Sequence, residues 1–294
     1  MRVLVTGSNG LLGSDLIKEL NKKNVDYIAA TRKDFDIINY DAARDFILKN
    51  NMADNINYIV HCAAYTDVNK AQIEKDLCYK INFIGTQNLV FIAKEIKARF
   101  IYISTDYVFD GKKNSPYEIY DKPNPINFYG LTKFYGEDII KANLKNYFII
   151  RVSWLFGDKK NNFVNKILDM SYKKKELDVI CDQVGSPTYT QDLAKILCEL
   201  IFSDSKYKNK IETGIYHVTN ENFCSWFDFA QEIFRLKNIN IKLNPITTQE
   251  FNKKFGLDII RPLNSRMSKK KLYLNGFKKI RTWQDALECF LNKI

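Results

Sequence analysis

The chain has 294 residues, of which 46% are hydrophobic and 27% charged, with a formal net charge of +11; this is an ordinary balance for a soluble globular protein of one large or two modest domains. No apolar run is long enough to span a bilayer, "MRVLVTGSNG" reads as a first strand and not a secretory signal, and the six cysteines form no CxxC pair, so membrane insertion, export and a disulfide framework are not expected. The histidines His61 and His217 lie far apart, and the basic residues are spread along the chain apart from short clusters at 173–175 and 269–271; a cytoplasmic protein with no zinc site and no nucleic-acid or membrane partner is expected, its positive balance suiting phosphate-bearing ligands.

The first strand, expected at 2–6, runs into "VTGSNGLLG", and a helix follows at 11–20. Between them Gly7, Gly10 and Gly13 stand in a GxxGxxG spacing. Glycines let backbone approach a pyrophosphate, and the helix N-terminus offers free N–H groups with a partial positive charge. Gly7, Asn9, Gly10, Leu11, Leu12 and Gly13 are therefore the candidate cradle for a dinucleotide. A second strand at 25–30 ends in "AATRKDFDI". An acidic residue at that point would bind the ribose 2′-OH of NAD. Arg32 and Lys33 stand there instead, which favours the 2′-phosphate of NADP, with Asp36 and Ile37 at the adenine edge. Asp34, one step on, leaves NADH open.

A helix at 40–49, a strand at 58–62, a long helix at 76–95 and a strand at 100–103 continue the alternation. The fourth strand runs directly into "STDYVFDG". The carboxyl end of a parallel strand is where an open α/β sheet puts its working residues. "NFYGLTKFYGE" then opens a helix at 128–141 and sets Tyr129 and Lys133 one turn apart on one face. A free phenol titrates at about 10. An adjacent ammonium is expected to pull it toward the working range, and the Thr105 hydroxyl to bond the same substrate oxygen. Glycine loop, strand-end hydroxyl and Tyr-x₃-Lys, in that order, make Thr105, Tyr129 and Lys133 the candidate catalytic set.

A fifth strand is expected at 147–152, after which the pattern is less regular: helices at 162–172, 191–201 and 226–236, strands near 179–181 and at 215–218, and a mixed tail from 247. Apolar strands alternating with helices predict an α/β fold, a Rossmann-type doubly wound parallel sheet, with a smaller mixed C-terminal substrate domain. The NADP-binding domain is expected over 1–150, with the chain returning to it around 178–222; 151–177 and 223–294 form the substrate part. Trp154, at a strand end between the two, is read as a stacking platform. His217 is read as a satisfied structural histidine, Cys181 and Cys224 as packing thiols, and Asp182 and Glu221 as capping or pairing groups.

"VTGSNGLLG", "CAAYTDVNKAQ", "STDYVFDG", "NPINFYGLTKFYGE", "RVSWLFGDKKNNF", "CDQVGSPTY" and "IIRPLNSR" together carry a resemblance over nearly the whole length. The chain resembles the extended short-chain dehydrogenases/reductases and, within them, the dTDP-4-dehydrorhamnose reductase family. The resemblance implies NADPH-dependent reduction of the C4 keto group of dTDP-4-dehydro-L-rhamnose to dTDP-L-rhamnose, a step toward surface polysaccharide. It makes Tyr129 the proton donor to the C4 oxygen, and Lys133 the group that lowers its pKa and holds the nicotinamide ribose. Ala63, Ala64 and Tyr65 would lie against the cofactor; Thr66, Val68, Thr105, Tyr107, Trp154 and Arg261 would surround the sugar nucleotide. His61-Cys62 stand where the family often has Asn-Ala, a change read as neutral packing, and Asp258-Ile259-Ile260 precede Arg261 where a small residue is usual. Metal ligands, a Mg²⁺ requirement and a homodimer are left open. So are two rivals: a reductase or epimerase of another 4-keto-6-deoxy nucleotide sugar, and a non-catalytic subunit resembling the regulatory subunit of methionine adenosyltransferase. A scaffold has no need of an intact Thr105, Tyr129 and Lys133 set.

Overall fold

The computed structural model describes residues 1–159, 162–206, 211–256 and 259–294. Lys160 and Asn161 of "RVSWLFGDKKNNF" and Asp258 lie outside them. Five strands open the chain: β1 (Arg2–Thr6), β2 (Asp26–Ala30), β3 (Ile56–His61), β4 (Arg99–Thr105) and β5 (Tyr147–Val152). With the strand Gly214–His217 they form one six-stranded sheet, in the order β2, β1, β3, β4, β5, then Gly214–His217, and every pairing is parallel. Strand order runs outward in both directions from β1, so the switch point lies between β1 and β3, where an open α/β sheet leaves a crevice at the carboxyl ends.

Both faces of the sheet are covered, which is why its strands read as apolar runs. On one face α1 (Leu11–Lys22) and the helix Thr190–Lys206 pack Leu12, Leu16, Leu193 and Leu197 against Val3, Val5 and Phe148. On the other, the helices Tyr40–Ala53, Gly85–Glu95 and Phe128–Asn143 pack Ile47, Leu89 and Ile140 against Leu4, Ile59 and Phe100. A separate aromatic cluster, with Phe156, Tyr189, Phe229, Trp283 and Phe290 at its centre, draws on residues after 153. Three two-stranded pieces border it, among them Glu176–Ile180 with Lys242–Ile246 and Leu155–Phe156 with Thr188–Tyr189.

The long helix expected at 76–95 is interrupted. A short α-helix Lys75–Tyr79 passes into one π-helical turn, Lys80–Ile84, before Gly85–Glu95 resumes. At its centre is Asn82, a buried polar side chain. Its Oδ1 accepts from the Tyr65 N–H at 2.8 Å, and its Nδ2 donates to the Tyr65 carbonyl at 3.1 Å and to Thr132 Oγ1 at 3.1 Å. Widening the turn lets that amide reach the loop after β3 and the helix Phe128–Asn143 together, and π-turns gather at such functional positions.

Candidate active site

The phosphate loop is shaped by close approach. Gly7 holds φ +64°, and a Cβ there would stand 2.7 Å from the Ala63 nitrogen. A Cβ on Gly13 would collide with the Gly7 carbonyl and come within 2.8 Å of the Ser8 Cα. Gly10 caps α1 with no side-chain acceptor, so the first-turn N–H groups stay available to an anion. Asn9, Leu11 and Leu12 sit in the same loop and first turn. Glycines at the closest points and an uncapped helix start are what a pyrophosphate requires, so the residues present fit a dinucleotide.

Beside the loop, His61 is more than neutral packing. Its Nδ1 lies 2.8 Å from Thr6 Oγ1 and its Nε2 3.1 Å from Thr86 Oγ1. Burial first, then the Lys133 charge, pushes its pKa down to about 3, so it bonds as a neutral ring. Ala63 and Ala64 follow, partly buried, with Tyr65 pinned by Asn82 and its phenol donating to Glu74 at 2.8 Å. At the end of β2, Arg32 is 79% exposed and pairs loosely with Asp36 at 3.4 Å. Asp34 turns away from that edge, accepting from the N–H and hydroxyl of Thr31 at 2.8 Å each. Ile37 packs on Gly85. The exposed guanidinium, with the nearby acid turned back on its own loop, suits a 2′-phosphate.

Thr105 ends β4 and is buried. The helix carrying Tyr129 and Lys133 starts at Phe128, capped by Asn127, whose Oδ1 accepts from the Gly130 N–H at 2.9 Å. The Thr105 hydroxyl lies near enough to the Tyr129 phenol to work against the effect of burial on it. Tyr107 meets the Tyr129 ring edge-on with centroids 5.7 Å apart. Lys133 is buried, with its ammonium 4.0 Å from the centre of the Tyr102 ring. Here the charges differ from expectation. Burial, then the Asp106 charge, moves the Tyr129 phenol above its ordinary value and not toward neutrality. Burial also pushes Lys133 down to about 7. In so dry a pocket the cost of charging each group outweighs their mutual attraction.

The residues expected around the sugar nucleotide come from several elements. Thr66 is exposed and Val68 starts the short helix Val68–Ile73. Arg261 reaches this helix through a short hydrogen bond from Nη2 to Asn69 Oδ1, while its Nη1 is buried with no hydrogen-bond partner among the described residues. Burial pushes the Tyr107 phenol up to about 12, with the Asp106 charge adding to that and the Arg261 charge opposing it. Trp154 belongs to the aromatic part: its indole stacks on Trp226 at 3.6 Å and 12°. Its φ of 49° is left-handed, which costs a bulky residue energy unless its surroundings hold it there.

Motif spacing did not single out Asn82, Asn69 or Asp106 as site residues. Asn82 had a signal, a lone polar residue inside the apolar run "INFIG" of a helix pattern. His217 is half-satisfied: its Nε2 lies 3.4 Å from Arg151 Nη1, and its buried Nδ1 has no hydrogen-bond partner among the described residues. Asp182 does cap, accepting from the N–H and hydroxyl of Thr248, and Glu221 pairs with Lys269 at 3.6 Å. Among the described residues no group of three His, Cys, Asp or Glu side chains could hold a metal, and no helix is long and apolar enough to cross a membrane.

The family model described as RmlD substrate binding domain matches residues 1–294. The chain is 36% identical over 292 residues to the spore coat polysaccharide biosynthesis protein SpsK of Bacillus subtilis, covering 99% of this chain and 97% of that one. It is 34% identical over 295 residues to the dTDP-4-dehydrorhamnose reductase of Aggregatibacter actinomycetemcomitans, covering 98% and 97%. Among solved structures it is similar to a dTDP-4-dehydrorhamnose reductase of Bacillus anthracis in complex with NADP: TM-score 0.90, 38% identity, 100% and 99% of the two chains. A UDP-glucose 4-epimerase of Thermus thermophilus, at 15% identity and TM-score 0.79, shares the fold.

Proposed function

This chain belongs to the RmlD substrate binding domain family, and from that premise we propose that it is a dTDP-4-dehydrorhamnose reductase, using NADPH to reduce the C4 keto group of dTDP-4-dehydro-L-rhamnose. The observation that supports the reading is Thr105 at the end of β4, packed against the helix that bears Tyr129 and Lys133, in a sheet whose first strand runs into a glycine loop. Relatives of the same length that bear that name support it, as does a structural neighbour in complex with NADP. In this reading residues 1–150 and the returning segment hold the cofactor, and the aromatic part holds the sugar nucleotide.

Bound NADPH supplies the hydride. The loop from Gly7 to Gly13 would hold its pyrophosphate, Arg32 and Lys33 its 2′-phosphate, and Lys133 its nicotinamide ribose. Tyr129 delivers the proton. A phenol held above its ordinary pKa is fully protonated at neutral pH, so the proton is in place when charge develops on the C4 oxygen. Arg261, with an unpartnered buried nitrogen, suits the nucleotide's phosphates. The test is NADPH oxidation with dTDP-4-dehydrorhamnose, with product stereochemistry read by NMR. Stoichiometric oxidation is expected; an epimerase would return its cofactor unchanged, and no oxidation above the blank would end the reading.

Two further outcomes are expected. Arg32→Ala with Lys33→Ala should weaken NADPH about 10- to 100-fold and leave NADH nearly unaffected, because hydrogen bonds to a charged group contribute roughly 1.5–3 kcal/mol. Fluorescence titration with both cofactors checks this, and an equal loss for the two would remove the pair from 2′-phosphate recognition. Trp154→Ala should raise KM for the nucleotide sugar more than it lowers kcat, since a stacking surface is shared by ground and transition states. The indole also packs on Trp226, so a lower melting temperature should accompany it. A melting loss with KM unchanged in the folded fraction would make Trp154 purely structural.

A further inference from the structure

Lys133 sits where no counterion is free to meet it. It is 3% exposed, and a buried ammonium is costly unless it is paired. The carboxylate placed to pair with it is Glu137, one turn further along the same helix. That carboxylate is spent elsewhere. Its Oε1 accepts from Arg151 Nε at 2.8 Å and from the Ser104 hydroxyl at 2.6 Å, and its Oε2 accepts from Arg151 Nη2 at 2.6 Å. Among the described residues no ion pair joins it to Lys133.

The other titratable groups around the ammonium are uncharged at neutral pH. On β3, His61 is neutral, and burial pushes the Cys62 thiol after it up to about 12. Burial also raises the Cys78 thiol, on the helix Lys75–Tyr79, and the phenols of Tyr129 and Tyr102. What meets the ammonium instead of an anion is the face of the Tyr102 ring, 4.0 Å away at its centre. Tyr102 is fixed in that place. It is fully buried in β4, and its hydroxyl bonds the Lys133 carbonyl at 3.4 Å. A Cβ on Gly136 would collide with that hydroxyl. The ring therefore lies against the helix between Lys133 and Gly136, and the glycine makes room for it.

We propose that Tyr102 is the positioning residue for Lys133: its ring face holds the ammonium in place of a carboxylate, keeping it charged and its N–H groups available to the nicotinamide ribose. An aromatic face attracts a cation through its quadrupole, most strongly where water is excluded. A carboxylate in the same place would take those N–H groups for itself, as Glu137 takes the guanidinium of Arg151. Burial pushes Lys133 down to about 7. The ring works against burial and favours the charged form.

The role given to Lys133 rests on the reductase reading; the contact does not, so the two are tested apart. In the full chain without ligand, NMR of lysine-labelled protein follows the Lys133 side chain with pH, its signal being the one missing from Lys133→Met. Tyr102→Phe keeps the ring and should titrate with the parent. Phenylalanines bearing one, two and three ring fluorines at position 102 weaken the face with little change in size. They should lower the midpoint step by step. Tyr102→Leu should lower it by about 1 pH unit, the loss expected of one dry cation–π contact. The sign for activity follows. A lower midpoint means that the charged form is lost at lower pH. With the parent active on dTDP-4-dehydrorhamnose, kcat of Tyr102→Leu above pH 7 should be about 5- to 10-fold below the parent and recover as pH falls. Tyr102→Phe should keep the parent profile. A midpoint that ignores the fluorines would overturn the proposal and leave Tyr102 as packing, even if Tyr102→Leu melts early. A midpoint that moves while the pH profile of kcat does not would remove the positioning role. An inactive parent would instead sink the reductase reading, and the ligand-free titration would then judge the ring.

Discussion

Tyr129→Phe should lower kcat by roughly 10² to 10⁴-fold, the range that proton transfer by a placed side chain contributes, while the dissociation constant for NADPH stays within a few-fold. The substitution is narrow. The ring remains, and with it the edge-on contact to Tyr107 at 5.7 Å. The cap at Asn127 and the bond from Thr132 Oγ1 to the Tyr129 carbonyl at 2.8 Å use backbone atoms, so the helix start is unaffected. Only the hydroxyl is lost, and with it the phenol assigned as proton donor. Residual turnover is expected, because orientation survives and water can protonate the product slowly. Steady-state assay and fluorescence titration on one preparation check both halves. Turnover near that of the parent would remove Tyr129 from the mechanism; a large loss of NADPH affinity would make it a binding residue.

The frame of the site was legible because its parts are local. The glycine loop, the strand end at Thr105 and the Tyr-x₃-Lys turn are each short stretches whose spacing has a physical meaning. What was not legible depends on partners far along the chain. Asn82 matters because the loop at Tyr65 and the helix at Thr132 both come within reach of one amide, and 50 residues separate Asn82 from Thr132. Asp106 drew no reading of its own from the sequence; only the fold shows it buried and half-bonded. The sign of the Tyr129 shift was misread for a related reason. Spacing shows that Lys133 shares a face with Tyr129, but not that both are dry, and dehydration decides which form of each is favoured. Trp154 was expected in a pocket, and its stacking on Trp226 across 72 positions could not be read from either segment.

The largest stability effect is expected one turn beyond Lys133. Glu137 and Arg151 form a fully buried ion pair, bidentate at 2.8 and 2.6 Å, and Ser104 donates to the same carboxylate at 2.6 Å. Glu137→Ala would leave the guanidinium with His217 Nε2 at 3.4 Å and the face of Phe109 as its remaining neighbours. An uncompensated buried charge typically costs about 3–5 kcal/mol, a large part of the roughly 5–15 kcal/mol that stabilises a domain. Urea unfolding should show this as a fall in midpoint, and a loss under about 1 kcal/mol would mean that water reaches Arg151. Replacing the pair by apolar residues, Glu137→Leu with Arg151→Met, should recover most of the loss, since such exchanges are often neutral or better. That double variant then isolates what the pair does for the site. Glu137 lies on the helix of Tyr129 and Lys133, Arg151 on β5, and Ser104 beside Thr105 on β4, so the charge network sets the helix against the strand that carries the third catalytic candidate. Apolar packing restores the energy but not the direction of those bonds, and a shift of about 1 Å can cost about 10²-fold in rate. The double variant is therefore expected to melt near the parent, bind NADPH normally, and lose roughly 10- to 100-fold in kcat.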